Sequence, residues 1–347
     1  KQQHLPEAGL ETWTAKGWAP IKRIIRHKTN KKIMRVNTFR GCVDVTEDHS
    51  LLTSKMESLS PKDAKIGDEL CHSFSTEFPS EPKFKDDNGN MEMVHCYDCK
   101  LYKPYYEYYN KINGKYPKPC RKCKWILNLK RKGVSSYMKT YFSEKEYLQN
   151  VGRNLTENEA WIWGAGHADG CFKSYTMKDG THNFWSIDKL DLDHLNIILE
   201  KLKTVEPYFQ FKIEDVRKHS GVYKLKAMGM LKIIVEKYNK LFYDKRGYKI
   251  VPMCILNSPI NIRKAYFEGF SAGDGWKNDK GIINFCQKGK INAQCLYYLM
   301  VSIGYKDINV LTQEYKPDIY WIYTVDKKSV GKIRKIFDVS DIINKTH

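Results

Sequence analysis

An α+β fold with an internal duplication is predicted by three observations. First, Ile162-Trp163-Gly164-Ala165-Gly166-His167-Ala168-Asp169-Gly170 and Phe267-Glu268-Gly269-Phe270-Ser271-Ala272-Gly273-Asp274-Gly275 each run apolar and small residues into Asp-Gly. The two acids stand 105 residues apart, the length of one small domain, so each copy is expected to open its own structural half. Second, each copy is followed by a strand and then a Leu-rich or apolar helix. Asn183–Ile187 precedes Leu192–Leu202 in one, and Ile282–Cys286 precedes Ala293–Ile303 in the other. Third, Val222–Lys226 and Ile319–Tyr323 read as matched alternating strands later in each half.

If both runs are helical, Gly164 with Ala168 and Gly269 with Gly273 share a face at i and i+4. Faces without large side chains let two helix backbones approach closely. The glycine after each aspartate suits a left-handed helix end, and both acids are expected to emerge at the same end of the helix pair. Two carboxylates with neighbouring carbonyls and waters form a hard oxygen site suited to Mg²⁺. Such a site activates water and stabilises the leaving oxygen in phosphodiester hydrolysis. The opposing reading is a pair of ordinary helix C-caps.

These two segments resemble degenerate copies of the LAGLIDADG motif of homing endonucleases, in the single-chain form with two motifs. The resemblance covers about residues 145–345 and implies two pseudo-twofold αββαββα halves, at 141–257 and 258–347. It implies that Asp169 and Asp274 ligate Mg²⁺, assisted by the backbone carbonyls of Ala168 and Gly273. His167 and Ala272 stand where the ideal motif has an earlier acid, a position that is not a metal ligand. The family also places a Gln or Lys near the metals. Gln287, beside Lys288, is the match in the second half, and the symmetric position falls at about Ser186. Lys226 and Lys327 are the candidates for a lysine assisting the attacking water, and both also suit phosphate contacts or solvated charge.

With 59 basic and 40 acidic residues the chain carries a net charge of +19, which raises on-rate and affinity for a polyanion such as double-stranded DNA. No apolar run approaches the roughly 20 residues of a membrane helix and no signal peptide is visible, so a cytoplasmic, non-secreted protein without membrane contact is expected. Ten cysteines without a secretory context point to reduced thiols or metal binding. Four of them, Cys96, Cys99, Cys120 and Cys123, form C-x2-C, twenty residues, C-x2-C, a spacing that closes a tetrahedral Zn²⁺ site. Residues 100–140 hold twelve Lys or Arg against the single acid Glu107, with eight aromatics interleaved. A small zinc-stabilised, basic DNA-binding module is therefore expected at 93–140, with a structural zinc clip as the plainer alternative.

Residues 11–72 read as short alternating strands separated by polar turns, an all-β module, and 78–92, rich in Pro, Asp, Asn and Gly, as a linker. Thr46-Glu47-Asp48-His49, followed by Ile66-Gly67-Asp68-Glu69-Leu70, resembles the second conserved block of inteins and related Hint domains. The resemblance implies a partial Hint module at 1–77 in which Thr46 and His49 assist the first acyl shift. Splicing in that family needs a Cys, Ser or Thr at the start and a terminal Asn, whereas this sequence opens on Lys1 and closes on Lys345-Thr346-His347. The expectation is an internal segment of a longer intein flanked by host exteins, with wording most similar to inteins of family B DNA polymerases.

The predicted activity is a site-specific, Mg²⁺-dependent double-strand DNA endonuclease acting as a monomer with internal pseudo-symmetry. The alternatives are a non-catalytic DNA-binding protein on the same fold, a decayed intein that only splices, and an RNA-binding intron maturase.

Overall fold

The computed structural model describes residues 2–4, 11–14, 17–26, 28–72, 93–95, 102–104, 155–178, 180–229, 231–277, 282–325 and 331–341. In chain order, the elements that position the site are strands β1 (Ile33–Thr38) and β2 (Cys42–Thr46), helix α1 (Glu157–Asp169), β3 (Gly170–Met177), β4 (Gly180–Lys189), α2 (Leu192–Val205), β5 (Gln210–Asp215), β6 (Tyr223–Met228), α3 (Leu231–Phe242), α4 (Ile260–Asp274), β7 (Trp276–Lys277), β8 (Ile283–Lys288), α5 (Lys290–Ser302), β9 (Ile308–Gln313), β10 (Lys316–Thr324) and β11 (Ile333–Asp338). The chain divides into two compact units: Lys1–Pro79, Leu241–Leu256 and Phe270–His347 form one, and Ser80–Lys240 with Asn257–Gly269 the other.

Each unit holds one four-stranded antiparallel sheet, and the two share a topology. The orders are β3-β4-β6-β5 and β7-β8-β10-β9, each entered from a helix that ends in aspartate. The registers also match. Lys189 lies opposite Tyr223 and Ser186 opposite Lys226 in one sheet, while Gln287 lies opposite Tyr320 and Asn284 opposite Tyr323 in the other. The mixed α and β content and the duplication expected from sequence are thus present, and the register makes Lys189 the counterpart of Gln287.

In the unit containing α1, the sheet closes on an aromatic cluster. Phe172 meets Tyr238 at 4.8 Å and Trp185 at 5.4 Å between ring centroids. Helix α2 buries Leu195, Ile198 and Leu202, spaced as one helical face. Burial of each such side chain contributes about 1.5–3 kcal/mol. Helix α1 starts at Thr156, whose hydroxyl accepts from the Glu159 N–H at 3.2 Å, with Glu157 and Glu159 in the positive first turn.

Within the same unit α1 packs on the first part of α4. A Cβ on Gly269 would lie 2.0 Å from the Trp161 carbonyl oxygen and 3.1 Å from the Ala165 nitrogen, so the backbones touch where no side chain fits. The contact shown runs through Trp161 and Ala165 rather than the expected Gly164 and Ala168. Beside it, His167 Nδ1 and the Tyr266 hydroxyl are 2.5 Å apart, and Asn261 donates to Glu157 at 2.9 Å. His167, which departs from the motif, is a fully buried helix-to-helix contact.

The glycines after the two aspartates correct a further expectation. Gly170 has φ −79° and ψ 150°, and Gly275 is likewise outside the left-handed region. Their need is space. A Cβ on Gly170 would meet the Phe172 ring at 2.2 Å, and one on Gly275 the Ser271 carbonyl oxygen at 2.5 Å.

The other unit contains a three-stranded sheet of order β11-β1-β2. Strand Ile333–Asp338, expected within the second half at 258–347, instead pairs with Ile33–Thr38 and completes the N-terminal module. An unpaired edge on β1 is thereby covered. Arg35 binds Asp44 in bidentate fashion at 2.7 and 2.8 Å, Lys290 of α5 reaches Asp44 at 2.9 Å, and the Arg35 guanidinium lies 5.5 Å from the Tyr320 ring centroid. These contacts tie the three-stranded sheet to the second half. The remaining described N-terminal residues pair as short strands, including Glu11–Thr14 with Gly17–Pro20. Of the segment expected to bind zinc, Met93–His95 and Tyr102–Pro104 form an antiparallel pair, while Cys96, Cys99, Cys120 and Cys123 lie outside the described residues. Among the described residues no helix is long and apolar enough to cross a membrane.

Two stability predictions follow from the helix seam and from a buried ion cluster. Gly269→Ala should lower stability by about 1–3 kcal/mol, read as a drop in thermal midpoint, because the added methyl must separate two backbones. Lys237, 5% exposed, meets Glu206 at 2.6 Å and Glu159 at 3.8 Å. Burial alone would lower its pKa, yet Glu206 and then Glu159 hold it above the ordinary 10.5. Glu206→Gln should therefore cost about 3–5 kcal/mol in denaturant unfolding, with Glu206→Leu/Lys237→Met recovering most of it. The Lys237 contribution should be full at neutral pH and fade only as pH rises through the raised folded pKa.

Candidate active site

Both motif aspartates end their helices, and each is met by the residue two positions before the cap of the next helix. In the first half Lys189 Nζ is 2.8 Å from Asp169 Oδ2, an ion pair without the alignment of a hydrogen bond; the side chains are 10% and 23% exposed. In the second half Gln287 donates from Nε2 to Asp274 Oδ2 at 2.6 Å. Gln287 was expected from the sequence. Lys189 was missed in favour of Ser186, which lies on the opposite face of β4 from Lys189, opposite Lys226 in register.

A third position repeats. Asn292, the third residue of α5 and 1% exposed, donates to Gln287 Oε1 at 2.9 Å and so orients the amide toward Asp274. Its counterpart is His194, the third residue of α2, whose own N–H is capped by the Asp191 side chain at 3.1 Å. Burial lowers the His194 pKa, with Lys189 adding to the shift and Asp191 and Asp169 opposing it. The signal was present in the sequence: Lys189 and Gln287 both stand five residues before His194 and Asn292.

Each half thus offers one carboxylate at a helix C-terminus. Ala168 and Gly273 precede the acids there, in the last turn of each helix. Among the described residues no three His, Cys, Asp or Glu side chains gather into a ready metal cluster. Within either unit, a lone carboxylate leaves most of a hard cation's coordination to water or phosphate oxygens, which is the habit of Mg²⁺.

Lys226 sits elsewhere. It occupies the helix-free face of its sheet, paired with Glu214, which also accepts from Lys212 at 2.5 Å. The two ammonium groups, Lys212 first, hold the Glu214 carboxyl down to about 2. The same face carries Lys173 and Lys224, together with Tyr175 and Phe184, whose exposed rings meet edge-on at 5.6 Å. Lys327 lies outside the described residues.

In the N-terminal module Thr46 and His49 close a turn, with the His49 N–H on the Thr46 carbonyl at 2.9 Å and the His49 side chain exposed. A different pair lines a cleft of about 790 Å³ there: the Thr38 hydroxyl and His72 Nε2, 3.2 Å apart, beside Cys42 and Cys71. Burial, then Arg40, lowers the His72 pKa.

No protein-family model matches the chain. Over 331 residues, 94% of its length, it is 35% identical to a DNA polymerase of Acanthamoeba polyphaga mimivirus, and the matched segment spans 15% of that curated relative. Among solved structures it is similar to the homing endonuclease I-DmoI in complex with DNA and Mn, at 13% identity over 49% of this chain and 89% of that one, with a TM-score of 0.38. It is also similar to the homing endonuclease I-WcaI bound to its DNA recognition sequence, at 14% identity over 55% of this chain and 80% of that one, with a TM-score of 0.34.

Proposed function

We propose that this chain is a divalent-metal-dependent endonuclease that cuts double-stranded DNA at a specific site, embedded as an intein in a longer DNA polymerase and acting inside the host cell. The observation that carries the reading is the repeated arrangement Asp169, Lys189, His194 and Asp274, Gln287, Asn292 on two sheets of one topology. Two independent helix caps give no reason for the strand and the following helix to repeat as well. Asp169 and Asp274, with the carbonyls of Ala168 and Gly273, are the proposed Mg²⁺ ligands. When bound, the metal supplies an activated water and stabilises the leaving oxygen.

The side chains around the acids have defined tasks. Gln287, fixed by Asn292, holds the Asp274 carboxylate in one orientation, and Lys189 does so for Asp169 while presenting an ammonium to an incoming phosphate. Lys173, Lys212, Lys224 and Lys226, on the helix-free face, suit the DNA backbone, and Tyr175 and Phe184 suit base edges. Lys226 is thus a phosphate contact in this reading, and Lys327 keeps its place as a candidate for assisting the attacking water. The β11-β1-β2 sheet, with Thr46 and His49, is read as part of a Hint module completed by host exteins. Cys96, Cys99, Cys120 and Cys123 are read as a structural Zn²⁺ site, the first two in the connection between the paired strands Met93–His95 and Tyr102–Pro104. A polymerase relative of which this segment is a minor part supports the embedding.

Asp274→Asn should keep DNA binding and lose cleavage of a plasmid carrying the uninterrupted host site by at least about 10²-fold in the presence of Mg²⁺, measured as linearisation; retained cleavage would overturn the assignment. Gln287→Ala should slow cleavage by about 10–100-fold with DNA affinity unchanged, as loss of a partner that orients a ligand does. Equal single-turnover rates for that variant and the parent chain would remove Gln287 from the site.

A further inference from the structure

Around the first aspartate two buried acceptor atoms lack a hydrogen bond. Asp169 Oδ2 has the Lys189 ammonium at 2.8 Å without the alignment of one, and His194 Nε2 has no hydrogen-bond partner. The His194 ring is placed by its surroundings. Its backbone N–H is capped by Asp191, and the ring lies 5.7 Å from that of Trp161, tilted by 54°. Burial disfavours its protonation most, and Lys189 adds to that while Asp191 and then Asp169 oppose it, so ammonium and carboxylate both act on the ring. A buried polar atom without a partner calls for a donor.

The second half shows what a residue in this position does. Asn292 donates to Gln287 Oε1 at 2.9 Å, and Gln287 donates onward to Asp274 at 2.6 Å. Gln287 can stand in the middle of that chain because an amide carries both an acceptor and donors. Lys189 has donors only. A residue that places it from behind must therefore accept, and an amide N–H presented as Asn292 presents its own would not serve. A neutral imidazole, the ordinary state of histidine above a pH of about 6.5, offers one acceptor nitrogen. Exchanging Gln for Lys on the strand and Asn for His on the helix reverses the direction of one hydrogen bond and keeps the order of contacts to the acid.

We propose that His194 is the positioning residue of the first half, its Nε2 accepting from the Lys189 ammonium and so aiming the remaining N–H groups at Asp169 and at a DNA phosphate. The inference rests on the proposed endonuclease reading and deepens it. A lysine held only by an unaligned ion pair keeps freedom of angle, and a second acceptor removes it. The Lys189 side chain is 10% exposed, which leaves water little access to act as that acceptor.

Two readouts test this, one of them independent of cleavage. In ¹⁵N spectra of the full chain labelled at histidine, with the His194 signal assigned by its loss in His194→Asn, Lys189→Met should shift the Nε2 resonance. Lys240→Met, which removes an exposed lysine paired with Glu236 on α3, should not. An Nε2 signal unmoved by Lys189→Met would overturn the proposal. In single-turnover cleavage with Mg²⁺, His194→Leu should slow linearisation about 10–100-fold, as loss of a partner that orients a ligand does. Lys189→Met/His194→Leu should then be no slower than Lys189→Met alone, because both changes remove one unit. Lys189→Gln should also be slow, and adding His194→Asn, which installs the pair of the second half, should recover most of the rate. A Lys189→Met/His194→Leu variant slowed by the product of the two single effects would leave His194 no role through Lys189 and overturn the proposal. A parent chain that cuts no DNA would overturn the endonuclease reading, while the histidine spectra would still decide whether His194 holds Lys189.

Discussion

The rest of the first half depends on one close approach, that of the Gly269 backbone to the Trp161 carbonyl. A gap that narrow admits only glycine, so the faces of α1 and α4 are matched at the level of main-chain atoms. Nearby side chains obey the same constraint. His167 and Tyr266, both fully buried, meet directly at 2.5 Å. A helix held this way has a fixed axis and rotation, and a carboxylate at its last residue inherits both. Precision at Asp169 is therefore a property of α1 packing and of the Gly170 turn that sends the chain straight into β3.

The same logic explains why polar residues behind the acids are buried. Gln287 and Asn292 are 8% and 1% exposed; Asn292 donates to Gln287 Oε1, and Gln287 in turn donates to the Asp274 carboxylate. A chain of side-chain hydrogen bonds in a low-dielectric setting has few alternative arrangements. The first half reaches a comparable end with a cation, Lys189, beside a histidine whose protonation is disfavoured by burial. The two halves share a scaffold and differ in charge, as the products of a duplication do once each copy has its own task.

Much of this was legible in the sequence, and what was missed has physical causes. The strands and helices after each Asp-Gly were readable because they are strongly periodic. Gln287 was named because the family resemblance places a Gln or Lys on the strand after the motif, and its side chain does meet Asp274. Lys189 was missed because its hairpin is longer: it follows its aspartate by 20 residues where Gln287 follows by 13, so spacing from the motif does not carry over between the halves, and the symmetric position placed at about Ser186 falls on the opposite face of β4. Counting back two residues from the next helix cap gives the residue that meets the aspartate in both halves. The pairing of β11 with β1 was unreadable for another reason, since periodicity shows that a strand exists and says nothing of a partner about 300 residues away. The glycines were marked correctly as special, but the cause was crowding by Phe172 and Ser271, which only coordinates reveal.

The long reach of that pairing has a consequence for how the chain is made. At a synthesis rate of roughly 5–20 residues per second, β1 leaves the ribosome about 15–60 s before β11 exists. Through that interval β1 has β2 on one side and an open edge on the other, with Arg35 and Asn37 along it. Charged and amide side chains on a waiting edge discourage pairing with other chains. The polar residues of β1 thus act twice in the life of the molecule, first as guards of an unfinished sheet and later as fixtures of the finished one.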